Sequence, residues 1–269
     1  MAKTISTEKA IRTIVRNSVE TYASTFSERH LRELDNPDGT LNMKIHNVFI
    51  AALGEEIQYY SALARSLDSS LGNVIESMAI NIAKLFYEVH TNVEGFITKK
   101  QVDFIASLLE SYTRNIKKPE INDYVKLRNK TTKDDIINKR KASDYYLIDK
   151  TNNLHYLIEL KIGGDLDNKK ARSEKEAILE QYSILSNSLP AKSKISIHFA
   201  TAYNRYGEDK PWTQSRVLQF FAKDELLIGK DFWNFICKSN KGYDIVIDEY
   251  KKSAFLIINA LNLIKESYL

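Results

Sequence analysis

The sequence predicts one α/β domain with a helical N-terminal portion, and three observations carry that prediction. Apolar residues recur at helical spacing through most of the first hundred positions. Between Asp144 and Thr201 the period shortens to runs rich in aromatic and β-branched residues. No Pro/Gly/Ser-rich linker interrupts the 269 residues, which hold only four prolines and nine glycines. A single domain over 1–269 is the simplest division, mainly helical over 1–115 and carrying the sheet over 116–269.

Taken in order, Ser6 or Thr7 can cap a first helix that runs towards Phe26, with Ile11, Ile14, Val15 and Val19 on one face. A second helix starts near His46 and has Ile50, Leu53, Ile57 and Leu63 as its apolar stripe. The stretch "DSSLGNVIESMAINIAKLFYEV" restarts a helix at Asp68, Ser69 or Ser70, and another runs from about Thr98 to Tyr112. "DYYLIDK" and "LHYLIELKI" are strands joined by the turn "TNN". Ser173 caps the next helix, with Glu176 completing a capping box. "KISIHFATAY" is a third strand whose blurred alternation suggests burial on both faces. "PWTQSRVLQFFAKDELLIG" shows no clear period. "DFWNFIC" reads as a short helix, and Tyr243 to Tyr268 as a long one.

The composition, 43% hydrophobic and 28% charged, is that of a globular protein in water. Apolar windows such as "HNVFIAAL" are too short to span a bilayer. The N-terminus lacks the apolar core of a secretory signal. A single cysteine, Cys237, excludes an intramolecular disulfide and any cysteine-based zinc cluster. The expected compartment is therefore a reducing cytoplasm. The net charge of +4 is concentrated: Arg114 to Lys141 holds ten Lys/Arg against four Asp/Glu, an excess of six. Such a run is either a solvated face or a surface for an anionic partner such as nucleic acid.

The strand "YLIELKI" raises the sharper question, because its core carries Glu159 and Lys161. Residues two apart on a strand share a face, so Glu159 and Lys161 lie with His155 and Leu157, opposite Tyr156, Ile158 and Leu160. If the turn is Lys150 to Asn153, Asp149 pairs with Leu154, and Asp144 falls opposite Glu159. Two carboxylates and an ammonium then converge. Facing carboxylates are unfavourable unless paired or bound to metal. Mg²⁺ removes the penalty by taking oxygen ligands from one or two carboxylates, and the lysine can orient or deprotonate an attacking water. The set suits metal-assisted phosphodiester hydrolysis. A salt bridge at a sheet edge is the simpler alternative for an isolated pattern of this kind.

"SDYYLID…YLIELKI" resembles the active-site hairpin of the PD-(D/E)XK nuclease superfamily, with Ser143 in place of the signature proline. The longer context, from "KASDYYLID" through "EQYSIL" to "FFAKDELLIGKDFWNFI", is similar to type II restriction endonucleases of the TdeIII-like group and covers the C-terminal half. The resemblance implies a restriction-endonuclease-like central mixed β-sheet flanked by helices. It also implies Mg²⁺-dependent (or Mn²⁺-dependent) cleavage of double-stranded DNA by a homodimer, at a short palindrome such as GGNCC. A partner methyltransferase would protect the same site. Carried over, Asp144 and Glu159 become metal ligands and Lys161 the residue that positions or activates water. Glu76, on an upstream helix, is the candidate for an additional metal-binding acid; the polar side of an amphipathic helix is its plainer reading.

The loop "GGDLDNKKAR" leaves the charged strand, and Lys169, Lys170 and Arg172 could reach phosphates there, as could Lys141 before it. Asp165 and Asp167 suit phosphate poorly and could bind these lysines or cap the helix instead. Gln181 could stand near the attacking water or be an exposed glutamine. Arg205, Gln214 and Arg216 are the candidates for reading base edges, in a segment that could equally be an ordered surface loop. Two rivals remain: a structure-specific repair or recombination nuclease of the same superfamily, and a non-catalytic DNA-binding protein that keeps the fold.

Overall fold

In the computed structural model, which describes residues 2–128, 135–164 and 166–269, the first helix runs beyond its expected end, and α1 spans Ala2–Arg32. A 3₁₀ turn at Asn42–His46 leads to the one-turn helix α2, Val48–Ala51, capped by Asn47. The next helix, α3, is continuous over Glu55–Ala83. The restart expected at Asp68–Ser70 does not occur. The Ser70 hydroxyl bonds back to the Ser66 carbonyl at 2.6 Å and meets Tyr22 Oη at 2.9 Å, so it supports the helix instead of capping a new one.

The remaining elements are β1 (Glu88–Thr98), α4 (Lys99–Thr113), α5 (Asn122–Arg128), β2 (Ile136–Asp149), β3 (Leu154–Lys161), α6 (Asn168–Ser188), β4 (Lys194–Thr201), α7 (Ser215–Leu218), β5 (Leu226–Ile228), α8 (Lys230–Ile236) and α9 (Gly242–Tyr268). The segment without a clear period thus holds α7, a 3₁₀ turn at Lys223–Glu225, and β5. No helix among the described residues is long and apolar enough to cross a membrane. Part of the basic stretch, residues 129–134, and Asp165 lie outside the described residues.

The chain divides into two units. Met1–Ile82 with Asp244–Leu269 forms a helical unit, and Ala83–Tyr243 forms an α/β unit. In the helical unit, Ile11, Val15, Val19 and Phe26 of α1, Met78 and Ile82 of α3, and Ile264 of α9 are buried. Arg12 and Arg16 pair with Asp248 and Glu249 at 2.5 and 2.6 Å.

The α/β unit is built on a five-stranded mixed sheet, ordered β1-β2-β3-β4-β5. The β1–β2 and β2–β3 pairs are antiparallel, and β3–β4 and β4–β5 are parallel. Strand β1 lies in the stretch read as helical and corrects that reading. Its alternation buries Val93 and Ile97, and Gly95 between them lets α6 approach closely: a Cβ there would sit 2.5 Å from Ser188 Oγ. Thr98 then caps α4, with Gln101 closing a capping box.

Helix α6 starts at Asn168, five residues before Ser173, with Asp167 as its cap; the Asp167 carboxylate accepts the Lys170 N–H at 2.7 Å. Its Ile178, Leu179 and Tyr182 share a core with Tyr146 and Leu157 of the hairpin. On the opposite face Phe232 and Phe235 of α8 meet Tyr145 and Tyr156. Strand β3 is therefore buried on both faces, not only on the side of Tyr156, Ile158 and Leu160: Leu157 is as inaccessible as Leu160.

Candidate active site

The hairpin that holds the two charges is set by its turn. Asn153 takes φ +51°, and the Asp149 carboxylate accepts the Thr151 N–H at 3.0 Å and the Asn152 side-chain amide at 3.2 Å. From there Asp149 pairs with Leu154, and the register continues to Tyr145 opposite Ile158. Asp144 and Glu159 are the next positions on the two strands. There the backbone ladder stops, and the Asp144 carboxylate accepts the Leu160 N–H at 3.0 Å. Asp144 is thus held by the neighbouring strand while the hairpin splays open.

Glu159 is 7% exposed and Lys161 is half-buried. The Lys161 ammonium lies 2.6 Å from Glu159 Oε1 and 3.2 Å from Glu174 Oε1 on α6. Asp144 acts on both Glu159 and Lys161 through its charge. Among these four groups, one ammonium faces three carboxylates. Burial pushes the Glu159 carboxyl far above its ordinary value, and Asp144 pushes it further, against the pull of Lys161. Burial also works against the Lys161 charge, but Glu159, Glu174 and Asp144 outweigh it, and the ammonium is held more firmly than in water.

A hard cation would relieve this imbalance. Mg²⁺ binds through one or two carboxylates and keeps water and substrate oxygens in its other positions. Asp144 and Glu159 supply that donor set. Two softer donors are committed elsewhere: His155 Nδ1 bonds Tyr146 Oη at 2.8 Å, and Cys237 is buried in the α8 C-cap. Among the described residues no group of three or more His, Cys, Asp and Glu is placed to enclose an ion. The donors fit an open site completed by water, not a closed cage.

The family model for type II restriction endonuclease, HinfI, matches residues 7–254. The chain belongs to this family. No curated protein and no solved structure matches it. Membership of the HinfI family makes the chain a type II site-specific deoxyribonuclease, an endonuclease of a restriction-modification system acting on double-stranded DNA. The five-stranded mixed sheet flanked by helices, with a helical N-terminal region, agrees with a restriction-endonuclease-like fold. The match spans every residue singled out in the sequence, from Glu76 to Arg216.

The HinfI-family chain places those other residues variously. Glu76 is half-buried on α3, in the helical unit. Lys141 points towards α6, where Lys139 and Lys141 both pair with Glu180, the former at 2.8 Å. Two of the ten cations of the basic stretch therefore serve the packing of α6 on β2. Gln181 is neither exposed nor open to water: it is buried and donates to the Ala142 carbonyl at 2.9 Å. Lys169 and Lys170 are exposed on the first turn of α6, and Arg172 reaches Glu176 at 3.5 Å. Gln214 is buried. Its oxygen caps α7 through the Arg216 and Val217 N–H groups, and its nitrogen donates to the Leu166 carbonyl at 3.1 Å. Arg205 and Arg216 are exposed. Gly164, at φ +61°, packs under Trp212, whose ring a Cβ would meet at 2.5 Å. The residue that sequence reasoning missed is Glu174. Its only signal was an acid on the helix after the charged strand, and an exposed helix face gives the same signal.

Proposed function

We propose that the chain is a Mg²⁺-dependent, sequence-specific restriction endonuclease of the PD-(D/E)XK kind. The observation that carries this reading is the hairpin, which sets Asp144 beside Glu159 with Lys161 bonded to Glu159 at 2.6 Å. Asp144 and Glu159 would hold Mg²⁺, which would supply charge neutralisation at the phosphate and lower the pKa of the attacking water. Lys161, kept protonated by its acidic neighbours, donates to the attacking water or to a non-bridging phosphate oxygen and stabilises the charge that develops there. A lysine held this way orients the water and does not take its proton. Glu174 holds Lys161 from the helix side, as a positioning residue. The water oxygen bonds to phosphorus as the in-line bond to the leaving oxygen breaks, and the proton that the water gives up passes through solvent to that leaving oxygen.

Each chain offers one such set, and a duplex has two strands, so two copies acting on a palindrome are the simplest assembly. The family match runs through both units and supports one nuclease made of both. The finer TdeIII-like placement rests on the hairpin and the segments after it. Lys169, Lys170 and Arg172 are proposed phosphate contacts, with Lys141, which pairs with Glu180, as a further candidate. Exposed Arg205 and Arg216 are better placed than capped Gln214 to meet DNA. A cytoplasmic location and a partner methyltransferase complete the reading.

Digestion of plasmid and phage DNA tests it. Discrete fragments with Mg²⁺ or Mn²⁺, abolished by EDTA and by Glu159→Ala, are the expected result, and mapping their ends reads the site, GGNCC or another palindrome. Smeared products or cleavage of branched DNA alone would point to a repair nuclease. Cleavage indifferent to EDTA overturns the mechanism. A Glu76→Gln variant that cuts at the wild-type rate removes Glu76 from the metal set.

A further inference from the structure

The α/β unit has a second feature that the hairpin chemistry does not use. A cleft of about 760 Å³ opens between the segment after α4, the start of α6 and the α7 region. Among the described residues four cations line it, Lys117, Lys118, Arg216 and Lys223, and no carboxylate does. A cleft of about 470 Å³ in the helical unit, between α1 and α3, has no charged lining among the described residues. Positive charge therefore distinguishes the larger cleft from this one.

Of the four, Lys117 is committed: it pairs with buried Asp123, which also accepts the Tyr112 hydroxyl at 2.7 Å. That pair fixes the chain segment that carries Lys118. Lys118, Arg216 and Lys223 are exposed, and among the described residues none has an ion-pair partner. Three like charges converging on one cleft repel each other in the free protein, and an anionic ligand removes that cost. Asn168, on the cleft wall, follows Lys161 by seven residues. Chain reach alone keeps it within about 25 Å of the catalytic lysine. With one phosphate per ~3.4 Å of helix axis on each strand, that is within about seven nucleotides of the cut.

We propose that this cleft grips the DNA backbone a few nucleotides from the scissile phosphate, with Lys118, Arg216 and Lys223 contacting phosphates and not base edges. The proposal rests on the DNA-cutting activity above, but its test is separate. Binding of the full-length protein to a 30-base-pair duplex is measured in EDTA across a salt series, for wild type and for Lys118→Ala, Arg216→Ala, Lys223→Ala and the triple variant. Each single change is expected to flatten the slope of log K against log salt by about 0.9, and the triple by about three times that. The loss should be equal on a duplex with the mapped site and on one without it. Lys118→Arg and Lys223→Arg should restore the slope. Lys192→Ala, an exposed lysine beyond the other end of α6, should keep it. Wild-type melting temperatures confirm that the variants fold. Unchanged slopes in the cleft variants, or an equal loss in Lys192→Ala, overturn the cleft while wild-type cleavage leaves the nuclease reading intact. A loss confined to the mapped site makes these residues base readers and also overturns it. A wild type that binds with the expected slope but never cuts sinks the nuclease reading alone.

Discussion

Two lysine–glutamate pairs of the α/β unit, Lys175–Glu225 and Lys161–Glu159, hold buried carboxylates in different surroundings. Lys175 and Glu225 are almost wholly inaccessible, 2.8 Å apart, and saturated: Lys175 also donates to Tyr124 Oη at 2.7 Å, and Glu225 accepts the Ala222 N–H at 2.6 Å. The Tyr124 and Phe221 rings lie over the ammonium at 5.0 and 4.7 Å. One acid meets one base, and the Asp123 carboxylate, which acts on both through its charge, has its own partner in Lys117. Lys161 and Glu159 keep an opening to solvent and have Asp144 and Glu174 beside them, two carboxylates more than the ammonium can balance. A buried charge pair alone therefore indicates nothing about catalysis. The sign and size of the residual charge separate a structural pair from a site waiting for a cation.

The closed pair should yield the largest effect on stability. Lys175→Met leaves Glu225 buried without its partner and is expected to cost about 3–5 kcal/mol, read from urea unfolding. Lys175→Met with Glu225→Leu should recover most of that, since a well-packed apolar pair is often as stable as a buried ion pair. Cleavage per folded molecule should hold in both. A loss of cleavage without a loss of stability would erase the distinction between the two pairs.

At the open pair the effects should fall on rate. Lys161→Ala is expected to slow cleavage by about 10²–10³-fold with little change in melting temperature, as the loss of one charge-stabilising donor does elsewhere. Glu174→Gln should cost less, about 10–100-fold, the usual penalty for removing a group that orients another. Glu174→Asp, which keeps a carboxylate on the helix beside Lys161, should recover part of the rate that Glu174→Gln loses. An equal loss in both variants, with the fold intact, would make Glu174 a mere packing residue.

The hairpin was legible because its information is local: "TNN" sets the turn, and alternation carries the register the few residues back to Asp144. Strand β1 was not, because its pairing partner lies some forty residues later and its middle is a glycine chosen for the approach of α6. Glu174 was hidden by the helix start. A cap at Ser173 leaves Glu174 at the frayed first position, whereas the true cap at Asp167 sets it in the second turn, where it reaches Lys161. Gln214 misled for the opposite reason: a side chain able to read adenine is equally able to cap a helix. Local chemistry is readable from the chain, and which residue meets which across elements is not.

The prediction most specific to the open pair concerns pH. Glu159 has a folded pKa raised above its ordinary 4.5 by burial and by Asp144. The native state therefore holds this proton more tightly than the unfolded state does. The associated stability is present in full below about pH 4.5 and is lost as pH rises towards the folded value, at no more than about 1.4 kcal/mol per unit. Metal-free protein should accordingly lose stability as pH rises above 5, measured by urea unfolding at fixed ionic strength. Glu159→Gln, neutral throughout, should flatten that dependence, and Mg²⁺ should flatten it in the wild type by supplying the charge that the carboxylates lack. A wild-type curve that is already flat without metal would mean that Lys161 alone balances its neighbours, and the case for a cation at Asp144 and Glu159 would lose its electrostatic basis.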